Sequence, residues 1–195
     1  MNKHFLKITA VALLAFAASN ANATIFVPGG GNTGMQSFAI AFQGGPADVT
    51  MNIGVSNAGD GAVGPNQNNI NFTGLLAGLG SVFLDGNNGV DTSAYTGEFG
   101  QPGTTGDIFS TTFNVDCVDP CDLTFDWQYQ SVDGGSFQDF SFVEFLVGDQ
   151  QIYYDVLAQD TDDCVTNQCV TASEPGVVLL MGLGMVLLGL RRRFS

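Results

Sequence analysis

Leu123-Thr124-Phe125-Asp126-Trp127-Gln128-Tyr129 alternates apolar and polar side chains at every step. In an extended chain successive side chains point to opposite faces, so Leu123, Phe125, Trp127 and Tyr129 share one face. A helix would scatter the same four residues around its circumference. The segment reads as a β-strand with one face buried.

The same pattern recurs in both directions along the chain. Upstream, Phe38, Ile40 and Phe42 form one strand face, and Val49, Met51, Ile53 and Val55 form another. Ile70 with Phe72, the run Val82-Phe83-Leu84, and the series Phe109, Thr111, Phe113 and Val115 add three more. Downstream, Phe140 to Val147 is apolar on both faces, as a central strand requires, and Ile152 to Leu157 closes the series. Stretches rich in Gly, Asn and Asp separate these runs, among them 28–34, 57–69 and 85–91, and read as loops. The prediction is an all-β fold: a single β-sandwich or jelly-roll-like domain over residues 24–163. Most of the 16 Phe then belong to the core, as do Trp127 and Tyr129. Solvent-exposed Trp127 and Tyr129 would instead form a platform for stacking sugars.

Charge divides the chain sharply. All five basic residues lie near its ends, as Lys3, Lys7, Arg191, Arg192 and Arg193, and the single histidine is His4. Residues 24–173 hold 18 of the 19 acidic residues and no Lys, Arg or His. Hydrolases built on a Ser-His or Cys-His pair lack their imidazole, and Schiff-base chemistry lacks a lysine. Phosphate cradles that use Lys or Arg lack their cation. A nucleic-acid partner is excluded too, because a polyanion would meet a polyanion with no counterion release to drive binding. What remains is carboxylate chemistry, cation binding or a non-catalytic role. No cofactor is called for, calcium being the one ion whose ligands are plentiful.

The two ends read as addresses. Residues 1–23 have the layout of a secretory signal peptide: Lys3 and Lys7, an apolar run from Ile8 to Ala18, then Ala21-Asn22-Ala23 as the small-x-small cleavage pattern. Cleavage there makes Thr24 the first mature residue. At the other end Ser173-Glu174-Pro175 precedes an uncharged run from Gly176 to Leu190, and Arg191-Arg192-Arg193 follows. As a helix that run spans roughly 22 Å, short of a hydrocarbon core of ~30 Å. Basic residues hold the cytoplasmic side of a span, which leaves the acidic body outside. A plain single-span anchor is the alternative reading.

This tail resembles a PEP-CTERM sorting signal, with Ser173 standing where the usual motif begins with proline. The resemblance covers residues 173–195 and identifies Glu174, Pro175, Arg191, Arg192 and Arg193 as the motif. It implies export in a Gram-negative bacterium and a transient hold in the inner membrane. It also implies processing by exosortase, a membrane cysteine protease-transpeptidase, and display at the cell surface, where extracellular polysaccharide is a possible partner. The resulting division is a signal peptide over 1–23, the sandwich over 24–163, a polar stalk over 164–173 and the sorting tail over 174–195.

The four cysteines form two close pairs, Cys117/Cys121 and Cys164/Cys169. In an exported chain an even count reads as disulfides. Three connectivities are open, with the local one slightly favoured, and a four-thiolate zinc site is the sharper alternative. Among the carboxylates, 85–91 imitates an EF-hand loop only in part, since its glycine comes one place early and the twelfth-position Glu is missing. Phe125-Asp126-Trp127 followed by Asp133 and by Gln138-Asp139-Phe140 resembles the anchor-associated β-sandwich domains found before sorting tails. On that resemblance Asp133 and Asp139 are the candidate calcium ligands. Glu98 and Glu144 are the only glutamates of the body and the only thin case for a carboxylate glycosidase. The expected function is that of a non-catalytic exported surface or matrix protein, with a carbohydrate-binding module as the alternative.

Overall fold

The computed structural model describes residues 15–17, 24–58, 66–132 and 138–161. Outside them lie Ala21 and Ala23, Asp133, Cys164 and Cys169, the stalk, and the tail with Glu174, Pro175, Arg191, Arg192 and Arg193. Among the described residues there is no helix long and apolar enough to cross a membrane.

The described chain is all-β. Its strands are β1 (Ala15–Ala17), β2 (Ile25–Val27), β3 (Gln36–Ser56), β4 (Gln67–Gly74), β5 (Ser81–Asp85), β6 (Val90–Asp91), β7 (Thr105–Gln130), β8 (Phe140–Val147) and β9 (Gln150–Asp160). The strand order is β2-β9-β8-β3-β7-β4-β5, with β1 on β3 and β6 on β7. All pairings are antiparallel except β2 with β9. β8 lies between β3 and β9; Val143 and Phe145 on its inner face join the main core, and Phe140 and Phe142 on the other face are covered by a second cluster with Ala58 and Tyr95.

Two sheets arise because β3 and β7 belong to both. The first part of β3 pairs with the last part of β7, from Gln36↔Trp127 to Phe42↔Cys121, and β4 and β5 extend that sheet. The second part of β3 pairs with the first part of β7, from Ala47↔Val115 to Ser56↔Gly106, and β8, β9 and β2 extend the other. The runs read from sequence as separate strands are therefore two long strands that pass from one sheet to the other. Phe72 on β4 comes within 5.5 Å of Phe109 on the first part of β7, ring centre to ring centre. Such contacts between the two inner faces define the sandwich core.

The crossing is built from register shifts on both strands. Between Gly44↔Cys117 and Ala47↔Val115, β3 carries two residues, Gly45 and Pro46, against Asp116 alone. Inward-facing residues of β3 consequently change from even numbers (Phe38, Ile40, Phe42) to odd ones (Val49, Met51, Ile53, Val55), all of them buried. Gly45 has φ +133°, and a Cβ there would lie 2.5 Å from the Val115 carbonyl oxygen. Only glycine tolerates both that conformation and that approach. On β7, three residues (118–120) stand against Gln43 alone, and the Cys117–Cys121 disulfide closes this excursion with its Cα atoms 5.8 Å apart. A four-residue step preserves parity, so Leu123, Phe125, Trp127 and Tyr129 continue the inner face.

Trp127 and Tyr129 are buried, at 3% and 0% exposure. They are core residues, as the alternation required, and cannot serve as a sugar-stacking platform.

Candidate functional site

At one end of the sandwich, two buried carboxylates organise the loops. Asp139, fully buried just before β8, accepts from the Ala58 amide at 2.6 Å through Oδ1 and from the Asn66 side chain through Oδ2. Asn66 in turn accepts from the Val132 amide at 3.3 Å and donates to Asn57 Oδ1 at 3.2 Å. Asn57 donates to the Gly86 carbonyl at 2.9 Å. Asp160, at the end of β9, accepts from the Tyr129 hydroxyl at 3.0 Å and the Ser131 hydroxyl at 2.6 Å. The Asp160 amide donates to the Asp139 carbonyl at 2.8 Å, joining the two groups. With no basic side chain in the body, N–H and O–H donors take the role that Lys or Arg fills elsewhere.

Of the expected calcium ligands, the structure thus places Asp139 inside this hydrogen-bonded network, while Asp133 lies outside the described residues. Among the described residues no three His, Cys, Asp or Glu side chains are grouped to hold a metal. Both carboxylate oxygens of Asp139 accept hydrogen bonds within the network. In the EF-hand-like stretch, Asp85 accepts from the Asn87 amide at 3.0 Å, capping the short 3-10 turn Gly86–Asn88, and Asp91 accepts from the Ser93 amide at 2.9 Å. These are local turn contacts. The disulfide between Cys117 and Cys121 is the local pairing, and it removes two of the four thiolates that a zinc site would need.

The second cluster lies where β2 meets β9. The turn from Thr96 to Gly100 closes with the Gly100 amide donating to the Gly97 carbonyl at 3.0 Å, Gly100 having φ +78°. Gln159 fixes the turn, accepting from the Glu98 amide at 2.7 Å. The Tyr154 hydroxyl donates to the Thr96 carbonyl at 2.8 Å. The turn faces an open depression of about 250 Å³ lined by Thr96, Glu98, Tyr154, Asp155 and Val156. Burial pushes the Asp155 carboxyl up to about 6, opposed by a hydrogen bond from the Tyr153 hydroxyl at 2.9 Å and reinforced by the charge of Glu98.

Beside it, on the outer face of β8, Tyr95 stacks on Phe142 with ring centres 3.9 Å apart. Glu144 accepts from Asn52 at 2.8 Å, Gln151 at 3.0 Å and the Tyr95 hydroxyl at 3.3 Å. Burial and then the Glu144 charge push Tyr95 up to about 12, and burial raises Tyr154 as well. Glu98 and Glu144, singled out by being the only glutamates of the body, are each occupied in separate hydrogen-bond sets.

Asp160 and the Tyr129 hydroxyl were missed by pattern reading. Tyr129 was legible as an inward strand residue, but its meeting with Asp160 depends on β9 ending where the last part of β7 lies. Comparison with protein families, with curated proteins and with solved structures finds no match to this chain.

Proposed function

We propose that the chain is a non-catalytic exported surface or matrix protein, sorted and processed through its C-terminal tail by an exosortase-like membrane protease. The observation that carries this reading is the layout of the two ends: a signal peptide before Thr24, and Glu174-Pro175, an apolar run and three arginines after the body. The body supports it in kind. Its buried carboxylates, Asp139 and Asp160, accept hydrogen bonds that tie loops together, and its aromatic residues largely fill the core. The carbohydrate-binding alternative has lost its proposed platform, since Trp127 and Tyr129 are buried.

The test is the intact mass of the protein isolated from the surface of its producing cell. The expected species begins at Thr24, lacks the residues beyond about Glu174-Pro175 and contains two disulfides. A mature form still ending at Ser195 would replace sorting with a plain membrane anchor. Neutral replacement of Arg191, Arg192 and Arg193 is expected to release protein from the cell before processing, because the cytoplasmic stop is lost.

A further inference from the structure

We propose that removal of the leader creates an ion pair in the sandwich, between the new α-ammonium group of Thr24 and the carboxylate of Glu98. The inference rests on the export reading above, and specifically on cleavage after Ala23.

Thr24 is 5% exposed and stands immediately before β2, which the parallel register Ile25↔Ala158 holds against β9. Its hydroxyl oxygen lies 2.7 Å from Glu98 Oε1 and 2.8 Å from the Val156 carbonyl oxygen. The nitrogen and hydroxyl oxygen of one threonine are about 3 Å apart by covalent geometry, so the Thr24 nitrogen is within about 6 Å of that carboxylate. At this separation opposite charges favour each other's ionised forms.

The position of Glu98 is built by its surroundings. A Cβ on Gly97 would come within 2.9 Å of the Gln159 side chain, so glycine lets the turn lie directly on β9. Gln159 then holds the Glu98 amide, and the next residue, Phe99, stacks on Phe26 of β2 with ring centres 5.3 Å apart. One turn thus grips the chain start twice, Glu98 on Thr24 and Phe99 on Phe26.

In the unprocessed chain the Thr24 nitrogen is a neutral amide. The contacts of the Thr24 hydroxyl, Glu98 and Val156, line a depression that also holds Asp155 and Tyr154 of β9, with Glu144 of β8 acting on Tyr154. The titratable groups among these are all acids, and the body supplies no Lys, Arg or His to oppose them. Burial, with the charge of Glu98 adding to it, raises the Asp155 carboxyl. Cleavage delivers the one positive charge that the start of the body can acquire, and delivers it beside Glu98, a carboxylate for which the body holds no basic side chain. Processing and locking of β2 are then one event.

The same composition makes the test selective. Residues 24–195 contain no lysine, so the α-amine is the only primary amine of the mature chain. Mature protein isolated from producing cells, wild type and Glu98→Gln, is first weighed intact and then pulse-labelled with an N-hydroxysuccinimide ester between pH 6 and 10. The labelling rate against pH gives the amine pKa. The expected value for the wild type lies about one unit above the ordinary α-amino range of ~7.7–8.0. Glu98→Gln is expected to return it to that range and to speed labelling near pH 8 several-fold. Asp155→Asn lowers it in the same direction by less, and serves if Glu98→Gln does not fold. An ordinary or depressed amine pKa that neither variant moves overturns the ion pair alone. A first residue other than Thr24 overturns the cleavage reading and the pair with it.

Discussion

The ring of Phe38 lies 6.2 Å from that of Phe145, and Phe145 is paired across the sheet with Met51. Met51 lies thirteen positions beyond Phe38, and a straight strand of that length would carry them about 43 Å apart. The contact exists only because β3 folds over near Gly45. Phe38 also stacks on Phe125 at 4.8 Å within its own sheet and meets Tyr153 of β9 edge-on at 6.0 Å. One side chain therefore holds both layers. Phe38→Ala is expected to lower stability by about 3–5 kcal/mol in a denaturant melt, whereas Phe83→Ala, at a site 54% exposed, changes it by no more than about 0.5 kcal/mol.

Gly45 makes the crossing possible, so a methyl group there acts twice. It forces a conformation unfavourable to other residues and meets the Val115 carbonyl. Gly45→Ala is expected to cost more than about 2 kcal/mol. Gly30→Ala serves as the comparison: its φ is +76° with open space around it, and about 1 kcal/mol is expected. Equal losses in thermal melts of the two variants would show that the close approach contributes nothing.

Asp139→Ala leaves the Ala58 amide and the Asn66 side chain without their acceptor in the interior. A loss of about 2–4 kcal/mol is expected. Because the carboxylate is occupied by these donors, ~5 mM calcium and NaCl of matched ionic strength are expected to move the wild-type melt equally. A specific calcium shift abolished by Asp133→Ala would restore the metal reading.

The disulfide closes a loop of only a few residues, for which the chain-entropy model gives about 2 kcal/mol. The Cys117→Ala/Cys121→Ala double variant is expected to lose about that much. Alkylation followed by peptide mass mapping should find neither thiol free in untreated protein, and a labelled Cys117 or Cys121 would contradict the pairing.

Tyr95 and Tyr154 have phenols that burial holds neutral, Tyr95 up to about 12. Their neutral forms are favoured by folding, so the associated stability is complete below about pH 10 and is lost as pH rises through the folded values. Titration followed at 295 nm should show these two ionising only with alkaline unfolding. A smooth titration near pH 10 of all four tyrosines in folded protein would contradict this.

Period-two alternation made most strand interiors legible, including the inward set Leu123, Phe125, Trp127 and Tyr129 and the doubly covered β8. The change from even to odd inward residues on β3 was visible too, since Phe42 and Val49 differ in parity. Its meaning was not, because a parity change marks a turn between two strands as readily as a bulge within one. Asn68 and Asn69 were read as loop, yet they lie in β4 opposite Tyr129 and Gln128. There the tertiary partner overrides weak intrinsic strand preference. The network around Asp139 and Asp160 was illegible for another reason: its members come from six separate segments, and no local spacing records their convergence.

The parallel pairing of β2 with β9 has a mechanical consequence. The C-terminal end of the described chain leaves from Thr161, whose amide donates to the Val27 carbonyl at 3.0 Å. If the tail tethers the body, drag on the exposed domain is transmitted along the axis of β9. That strand is flanked on one side by β8 and on the other by β2, and its end is clipped to Tyr129 and Ser131 through Asp160. A pull along the strand loads these ladders in shear, with their hydrogen bonds sharing the force, whereas a pull across an outer strand would open them one at a time. A tether at that end would thus load a strand that is held on both sides.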